Sequence, residues 1–575
     1  MVKTNKWTSS EFSFQHGVFQ GDPWSPIIFL TAFNPILEKL EQNTNFGYDL
    51  NGKKFITCPF ADDFNLITSH KTTHQRLIRE ISAWTKSMGL KLKPAKCKTL
   101  SVVSGKPKSV PFLLDDNEIS TLENDTHKFL GSNITFSGKQ SDTFDIVKNH
   151  FETRLDRINK LVIRPEYKIQ MYSKYVVPSS HFILMVHDLT ATSIKDMDAT
   201  VTRYLKEWAG LPQCSTPAVL YTQGLTHIKS IAQLYEESHT GAYISSRASA
   251  DDNVNHALDC KFERERLWSQ KTSMIVKADE VYHKALEKHL PNEKQKLKDT
   301  AKHIIQQSFQ DKWATHLSSL VKQGAFFRIL QSAETDLEWK CLIYNLPRKV
   351  LKFLLNSTID TLPSNNNLVQ WNKLVSDACN LCGGRETLGH ILNGCPVMLE
   401  QQRYTWRHNS VLSKIHASLL SEISSSLEIH CDLPGHSSVT VPPDILPVTE
   451  KPDLVIVNRN EKTLYIVELT VCFESGFKRA HDYKQTKYEA LFFDLEEAGW
   501  TVQYLALEVG SRGVVLKDSN NQLYTLLRSI PLNQKWCQKK HRNLIRDMAK
   551  TAIVCSYVLF YAKFDKVWCN ANIYE

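Results

Sequence analysis

The sequence predicts a multidomain chain built from α/β and α parts, on three observations. Its 575 residues exceed what one hydrophobic core accommodates, and the length sets an expectation of about three or four domains. Short apolar runs broken by turn residues lie towards the two ends, around Cys58–Thr68 and Leu454–Leu507, while helical periodicity with many lysines fills most of the middle. A compact group of cysteines with one histidine stands between that helical middle and the C-terminal α/β stretch. Hydrophobic residues make up 42% and charged residues 23% of the chain, which is globular rather than disordered composition. A net charge of +9 is compatible with a nucleic-acid partner but does not require one.

Two absences narrow the class further. The start, MVKTNKWTSSEFSFQ, has no apolar signal-peptide region, and the 13 cysteines are mostly scattered singly, so a disulfide framework is not expected. The longest apolar run, Thr551–Ala562, is too short to span a bilayer and reads as a buried helix. A protein that is neither secreted nor membrane-bound, in a reducing compartment, is the expectation.

Cys58–Thr68, CPFADDFNLIT, is apolar–turn–apolar and reads as a β-hairpin with Asp62 and Asp63 at its tip. Paired carboxylates on a tight turn offer hard oxygen ligands to divalent metal, and two metals held so can clamp the attacking and leaving oxygens of a phosphoryl transfer. The competing reading is a plain surface turn, where aspartate is common. Upstream, Gln20–Pro26 reads QGDPWSP. Gly21 and Pro23 break the chain there, Ser25 suits an N-cap and Pro26 the first helical position, and Pro35 is a kink within the apolar stretch Ile27–Leu40. The pair QGDP-x-SP and FADD resembles the palm of reverse transcriptases, specifically those of non-LTR retrotransposons. By that resemblance Asp62 and Asp63 bind the catalytic magnesium ions, and the loop Gln20, Gly21, Asp22 and Pro23 positions template and incoming nucleotide.

Further segments fit the same order. Thr73–Met88 has helical spacing closed by Gly89, GLKLKPAKCKTL resembles the next palm segment with Lys96 matching its lysine, and Phe129–Gly131 resembles the primer-grip hairpin. One departure stands out: such a palm has a further aspartate on a strand well before the QGDP loop, and the residues before Gln20 contain Glu11 as their sole acid. On this reading the polymerase part is N-terminally truncated, and autonomous DNA synthesis is not expected.

The middle carries helical patterns at Asp145–Leu161, Tyr167–Val177, Asp279–Leu290 and Glu293–Gln323. The resemblance implies a thumb and linker, with Gly224–Ser230 fitting the linker loosely; a helical spacer with solvated charges is the alternative. Ser357–Asn367 reads as a loop before the next module.

Cys379, Cys382, His390 and Cys395 form C-x2-C-x7-H-x4-C. Three thiolates and an imidazole complete a tetrahedral zinc site with no open position, so the zinc is structural. Gly383 and Gly384 let the chain turn around it. This run and Arg403–Asn409 resemble the site-specific branch of the family, which carries a zinc knuckle and a restriction-like endonuclease. Arg403, Arg407 and His408 are then candidates for contact with nucleic-acid backbone, and Arg403 and Arg407 share a helix face.

After a helix and a Ser- and Pro-rich linker in Ser410–Val448, an α/β unit begins at Lys451-Pro452-Asp453. Leu454–Val457 is a strand, Asn458–Lys462 a turn, and Leu464–Val471 a second strand whose one acid, Glu468, is costly there unless it binds something. A following helix places Lys484, Lys487 and Tyr488 on one face, and Val502–Leu507 supplies another strand. The order resembles the PD-(D/E)-x-K nucleases. Asp453 and Glu468 would hold Mg²⁺, and a lysine would carry phosphate charge or orient the attacking water. The residue two after Glu468 is Thr470, so the lysine comes from the helix, as Lys484 or Lys487.

The expected architecture is a partial reverse-transcriptase palm (1–136), helical thumb and linker (137–370), CCHC zinc knuckle with a basic helix (371–412), restriction-like α/β endonuclease (445–530) and helical tail (531–575). The expected function is that of a retrotransposon-derived RNA-directed DNA polymerase fragment with a metal-dependent endonuclease. The nuclease nicks target DNA, and the nick primes reverse transcription. Partners are the DNA target and element RNA, with dNTP as the small substrate if the polymerase is active. Nuclear location follows from the resemblance alone. A non-catalytic nucleic-acid-binding remnant or co-opted element is the competing reading.

Overall fold

A computed structural model of the chain describes residues 7–8, 10, 18–19, 21–122, 126–135, 140–222, 228–269, 273–332, 335–336, 342, 345–436, 441–533 and 536–569. Gln20 and Gly224–His227 lie outside the described residues. The chain divides into two compact units: residues 1–150, 179–194 and 234–305 form one, and residues 151–178, 195–233 and 306–575 form the other.

In the first unit, helix α1 (Ser25–Glu41), strands β1 (Thr57–Phe60) and β2 (Asp63–Leu66) and helix α2 (Lys71–Ser87) share one core. Phe33, Ile36 and Leu40 from α1 meet Leu77 and Ile81 from α2, with Ile56, Phe64 and Leu66 between them. These positions recur every three or four residues, so each helix has one apolar stripe and is polar elsewhere. The α1 stripe starts one residue earlier than expected: Ser25 is already helical and Trp24 occupies the cap position. The Asp22 carboxylate accepts the Trp24 amide at 3.1 Å in the turn before the helix, and no side chain caps the first helical turn. The helix runs through Pro35. Gly89, at φ +72°, follows α2 as the sequence predicts. Beyond it the strands form small separate sheets, among them the hairpin Thr126–Phe129/Ser132–Thr135, which turns through Leu130 and Gly131, both at positive φ.

The middle is helical, with helices at Gln140–Lys160, Ala191–Ala209, Ile231–Arg247, Asp252–Ser269, Met274–Leu286 and Lys294–Ser319. Among the described residues, no helix is long and apolar enough to cross a membrane. The loop expected over Ser357–Asn367 is shorter than that: helix Arg348–Thr358 enters it, and Ser364 caps a new helix, Asn365–Gln370, by accepting the Asn367 amide.

In the second unit the C-terminal part is a three-layer α/β/α arrangement. Its elements are α3 (Arg403–Leu420), β3 (Glu428–Cys431), β4 (Leu454–Asn458), β5 (Thr463–Cys472), α4 (Phe477–Glu497), β6 (Thr501–Gly510), α5 (Lys517–Ser529) and α6 (Gln538–Tyr561). The six-stranded sheet runs Thr335–Asp336, Val515–Leu516, β6, β5, β4, β3. β5 and β6 pair in parallel through the α4 crossover, and β4 pairs antiparallel with both β5 and β3. Strands covered on both faces are near-continuous apolar runs, as LVIV and LYIV are. Val455, Val457, Leu464 and Ile466 face α4, while Leu454, Ile456, Val467 and Leu469 face α3, α5 and α6. β3 lies inside the stretch expected to be linker, and α6, expected as a tail, contributes Leu544, Ile545, Met548 and Ala552 to the same core as α3. The boundaries drawn at 412, 445 and 531 therefore cut through one core.

Candidate nuclease site and zinc knuckle

Asp453 stands at the entrance to β4 and Glu468 in the middle of β5. Both side chains are buried. Antiparallel pairing sets Leu454 against Val467, which carries Glu468 alongside Asp453. The Glu468 Oε2 atom accepts the Asp453 amide at 2.8 Å, and Asp453 Oδ2 accepts the Leu469 amide at 2.7 Å. The two acids thus orient each other through main chain rather than by touching. Lys484, from α4, donates to Glu468 Oε1 and lies 3.8 Å from Asp453 Oδ2. Tyr488, one turn on, donates its hydroxyl to Glu468 Oε1 at 3.0 Å. Lys487 instead reaches the Tyr488 hydroxyl at 2.8 Å. Of the two candidate lysines, the geometry brings Lys484 to the carboxylates.

The environments push the two acids apart. Burial and the Asp453 charge raise the Glu468 pKa against the opposing pull of Lys484. Burial acts on Asp453 as well, but the hydrogen bond and charge of His408, with Lys484 and the Leu469 amide, hold its pKa below the ordinary value. The His408 ring is itself desolvated, yet Asp453 raises its pKa overall. Burial and the adjacent Glu468 raise Tyr488, which keeps its proton as a donor.

The basic helix differs from its expected role. Arg403 and Arg407 are fully buried. Arg403 donates to the main-chain oxygens of Ala562 and Asp565, at the end of α6. Arg407 donates to the Val471 oxygen at 3.0 Å, to Asn393 Oδ1 and to Ser556 Oγ, both at 3.2 Å. Their guanidinium groups bond to protein acceptors and are buried, with Arg407 Nε left without a hydrogen-bond partner among the described residues, so neither reaches a phosphate backbone from this position. His408 also faces inward, with Nε2 3.2 Å from Asp453 Oδ2. No sequence signal links residues 45 apart in this way. Arg407→Ala is expected to destabilise the C-terminal unit by about 3 kcal/mol, because it strands buried acceptors. The salt dependence of DNA binding should stay unchanged, since no phosphate contact is lost. Thermal unfolding and a salt titration check the two halves.

Cys379, Cys382, His390 and Cys395 converge, with ligand atoms all within 4.8 Å of one another. The Cys379 amide bonds to the Gly384 oxygen at 2.6 Å and the Gly383 amide to the Cys379 oxygen at 2.9 Å, closing the first knuckle. Gly383, at φ +74°, takes a conformation that disfavours side chains. The helical turn His390–Gly394 returns the chain to Cys395. The donor set and its closure fit a structural Zn²⁺.

In the first unit, Ala61 and Asp62 form the turn of the β1–β2 hairpin and Asp63 opens β2, so both carboxylates are exposed at the tip. Ala61 has φ +53°, which tightens the turn. Among the described residues, no third acidic side chain completes a cluster with them. Gly21, at φ +93°, Asp22 and Pro23 precede α1, and Lys96 is exposed on the short turn Pro94–Lys96.

Residues 1–134 match the reverse transcriptase (RNA-dependent DNA polymerase) family. Three similar proteins are described as Retrovirus-related Pol polyproteins from R2 retrotransposable elements. The one from Nasonia vitripennis is 25% identical over 391 residues, covering 66% of this chain and 34% of the relative. One from Popillia japonica is 21% identical over 549 residues, covering 91% of this chain and 69% of the relative. The Drosophila melanogaster protein, from the type-2 element R2DM, is 27% identical over 216 residues, covering 36% of this chain and 20% of the relative. The chain thus spans about a third of the Nasonia vitripennis relative. The reverse transcriptase match at the N-terminal end and the R2 similarity across nearly the whole length agree with the QGDP and FADD motifs, and the chain is similar to non-LTR retrotransposon polyproteins.

Proposed function

We propose that the chain couples a retrotransposon reverse transcriptase to a magnesium-dependent DNA endonuclease, and that the nuclease resides in the sheet of β3–β6. The nuclease cuts one strand of a DNA target. In a complete relative the released 3′ hydroxyl primes copying of element RNA at the palm that here holds Asp62 and Asp63, with Gly21, Asp22, Pro23 and Lys96 at the template and nucleotide positions. Autonomous DNA synthesis by this chain is not expected, because among the described residues no third acid joins Asp62 and Asp63. The observation that carries the nuclease reading is the buried pair Asp453 and Glu468 joined to Lys484. Three charges buried beside strands as apolar as LVIV and LYIV are costly unless they do chemistry.

Asp453 and Glu468 present hard oxygens suited to Mg²⁺. Bound there, the ion lowers the pKa of a water and offsets charge developing on the phosphate. His408 and the Leu469 amide fix the Asp453 carboxylate, and Tyr488 and the Asp453 amide fix Glu468. Lys484 places a cation where a phosphoryl oxygen gains charge. The zinc knuckle supplies rigidity, because its Cys395 and Ile391 pack against Phe353 and Phe560. The resemblance further implies a nuclear location.

A supercoiled-plasmid assay with Mg²⁺ tests the reading. Wild type should convert supercoiled to open-circular DNA and Asp453→Ala should not. Binding without nicking by a folded, zinc-loaded wild type would leave a nucleic-acid-binding remnant instead.

A further inference from the structure

Glu508 on β6 is the third acid buried in this sheet. We propose that His481, oriented by Glu508, takes the proton from the water that attacks the scissile phosphodiester; this rests on the nuclease reading above. Parallel register sets Glu468 beside Ala506 and Thr470 beside Glu508. Side chains two apart on a strand share a face, so Glu508 lies on the same face as Glu468, about 7 Å further along. On α4, His481, Lys484 and Tyr488 fall at i, i+3 and i+7 and form one stripe. Stripe and strand match in order: His481 meets Glu508, Lys484 meets Glu468, and Tyr488 lies beside Tyr504.

The pair has the form of a proton acceptor. Glu508 Oε1 accepts from His481 Nδ1 at 2.7 Å, and Oε2 accepts from Ser519 Oγ at 2.6 Å. Both carboxylate oxygens are held, and the side chain is 2% exposed. With Nδ1 donating inward, the lone pair of the imidazole sits on Nε2, and the ring is 41% exposed. Among the titratable groups near the pair, Tyr504 on β6 and Cys472 on β5 both feel the Glu508 charge, and Cys472 also feels Glu474 and Arg479. A structural tie between α4 and β6 does not by itself require a histidine whose ring stays 41% exposed.

In the step, Nε2 takes a proton from water as the water oxygen bonds to phosphorus. The bond from phosphorus to the 3′ oxygen breaks, that oxygen leaves with the electron pair and picks up a proton from solvent, and the 5′ phosphate remains. Imidazolium then returns its proton to solvent. Lys484 carries phosphoryl charge, so the two residues of the stripe divide the work.

Single-turnover nicking of plasmid by the full zinc-loaded chain in Mg²⁺ tests this, with thermal unfolding as a fold check. His481→Ala should slow nicking by about 10²-fold or more, with DNA affinity unchanged, and added imidazole should restore part of the rate. The wild-type rate should show an acidic limb that His481→Ala loses. Glu508→Gln, which keeps the shape, should slow nicking as well, because the carboxylate that orients the ring is gone. His481→Ala nicking at the wild-type rate while Asp453→Ala is inactive overturns the proposal and leaves the nuclease reading standing. So does a slowed His481→Ala that keeps the limb and gains nothing from imidazole. A wild type that does not nick overturns both.

Discussion

Glu468→Ala is expected to lower the rate of the proposed magnesium-dependent nicking by about 10³-fold or more, and Asp453→Ala to do the same. Each loss amounts to several kcal/mol of transition-state charge stabilisation. The magnitude follows from where the groups lie. Both carboxylates are buried and each is held by a main-chain amide, so the chain carries their desolvation in the ground state and no exposed neighbour stands in for a lost one. The lysines separate the two readings left open by KQTKY. Lys484→Ala, which removes the cation bonded to Glu468, is expected to cost about 10²–10³-fold. Lys487→Ala removes contacts to the Tyr488 hydroxyl and ring, not to a carboxylate, and should stay within a few-fold. Glu468→Gln keeps the volume and the Tyr488 bond, so its loss measures charge rather than packing. Single-turnover rates across these variants settle the matter, and equal losses in Lys484→Ala and Lys487→Ala would remove Lys484 from its assigned role.

Zinc removal should have the largest effect on stability. Structural zinc contributes apparent binding energies of about 10–16 kcal/mol in isolated finger peptides, and a site of this kind folds with its metal. Here Cys379, Leu388, Ile391, Leu392, Cys395 and Met398 form a cluster with Phe353, Leu362 and Phe560. Without metal, the four ligands are three thiols and an imidazole packed among apolar groups, and the Tyr404 hydrogen bonds and the Lys563–Glu386 pair remain to hold the segment. Strong chelation, or Cys395→Ser, is expected to release one zinc per chain, to abolish hydrogen-exchange protection across 377–395 and to loosen the ends of helix Arg348–Thr358 and α6. The sheet core of β4, β5 and β6 is a separate cluster and should keep its protection. Metal analysis with hydrogen exchange checks both parts, and a chain that folds fully with no bound zinc would refute the assignment.

What the sequence determined about this protein is mostly local. Cysteine spacing sets the knuckle, because a chain of that length with glycines at the turn closes on one metal. The runs LVIV and LYIV, broken by a polar turn, specify an antiparallel pair, and the register of that pair is what brings Asp453 and Glu468 together. The hairpin around Asp62 and Asp63 is equally local, a two-residue turn between complementary strands. Tertiary structure decided the rest. Arg403 and Arg407 read as a solvated basic face, yet the end of α6 and the Asn393 side chain cover them, and no periodicity in the α3 sequence reports a partner about 150 residues away. His408 points at Asp453 only because α3 packs across the sheet. The choice of Lys484 over Lys487 turns on the rotation of α4 against β5, which is fixed by Tyr488, Leu491 and Leu495 burying against Val455 and Ile466. Helical spacing names a face, but only the packed neighbour decides which residue at its edge points into the site.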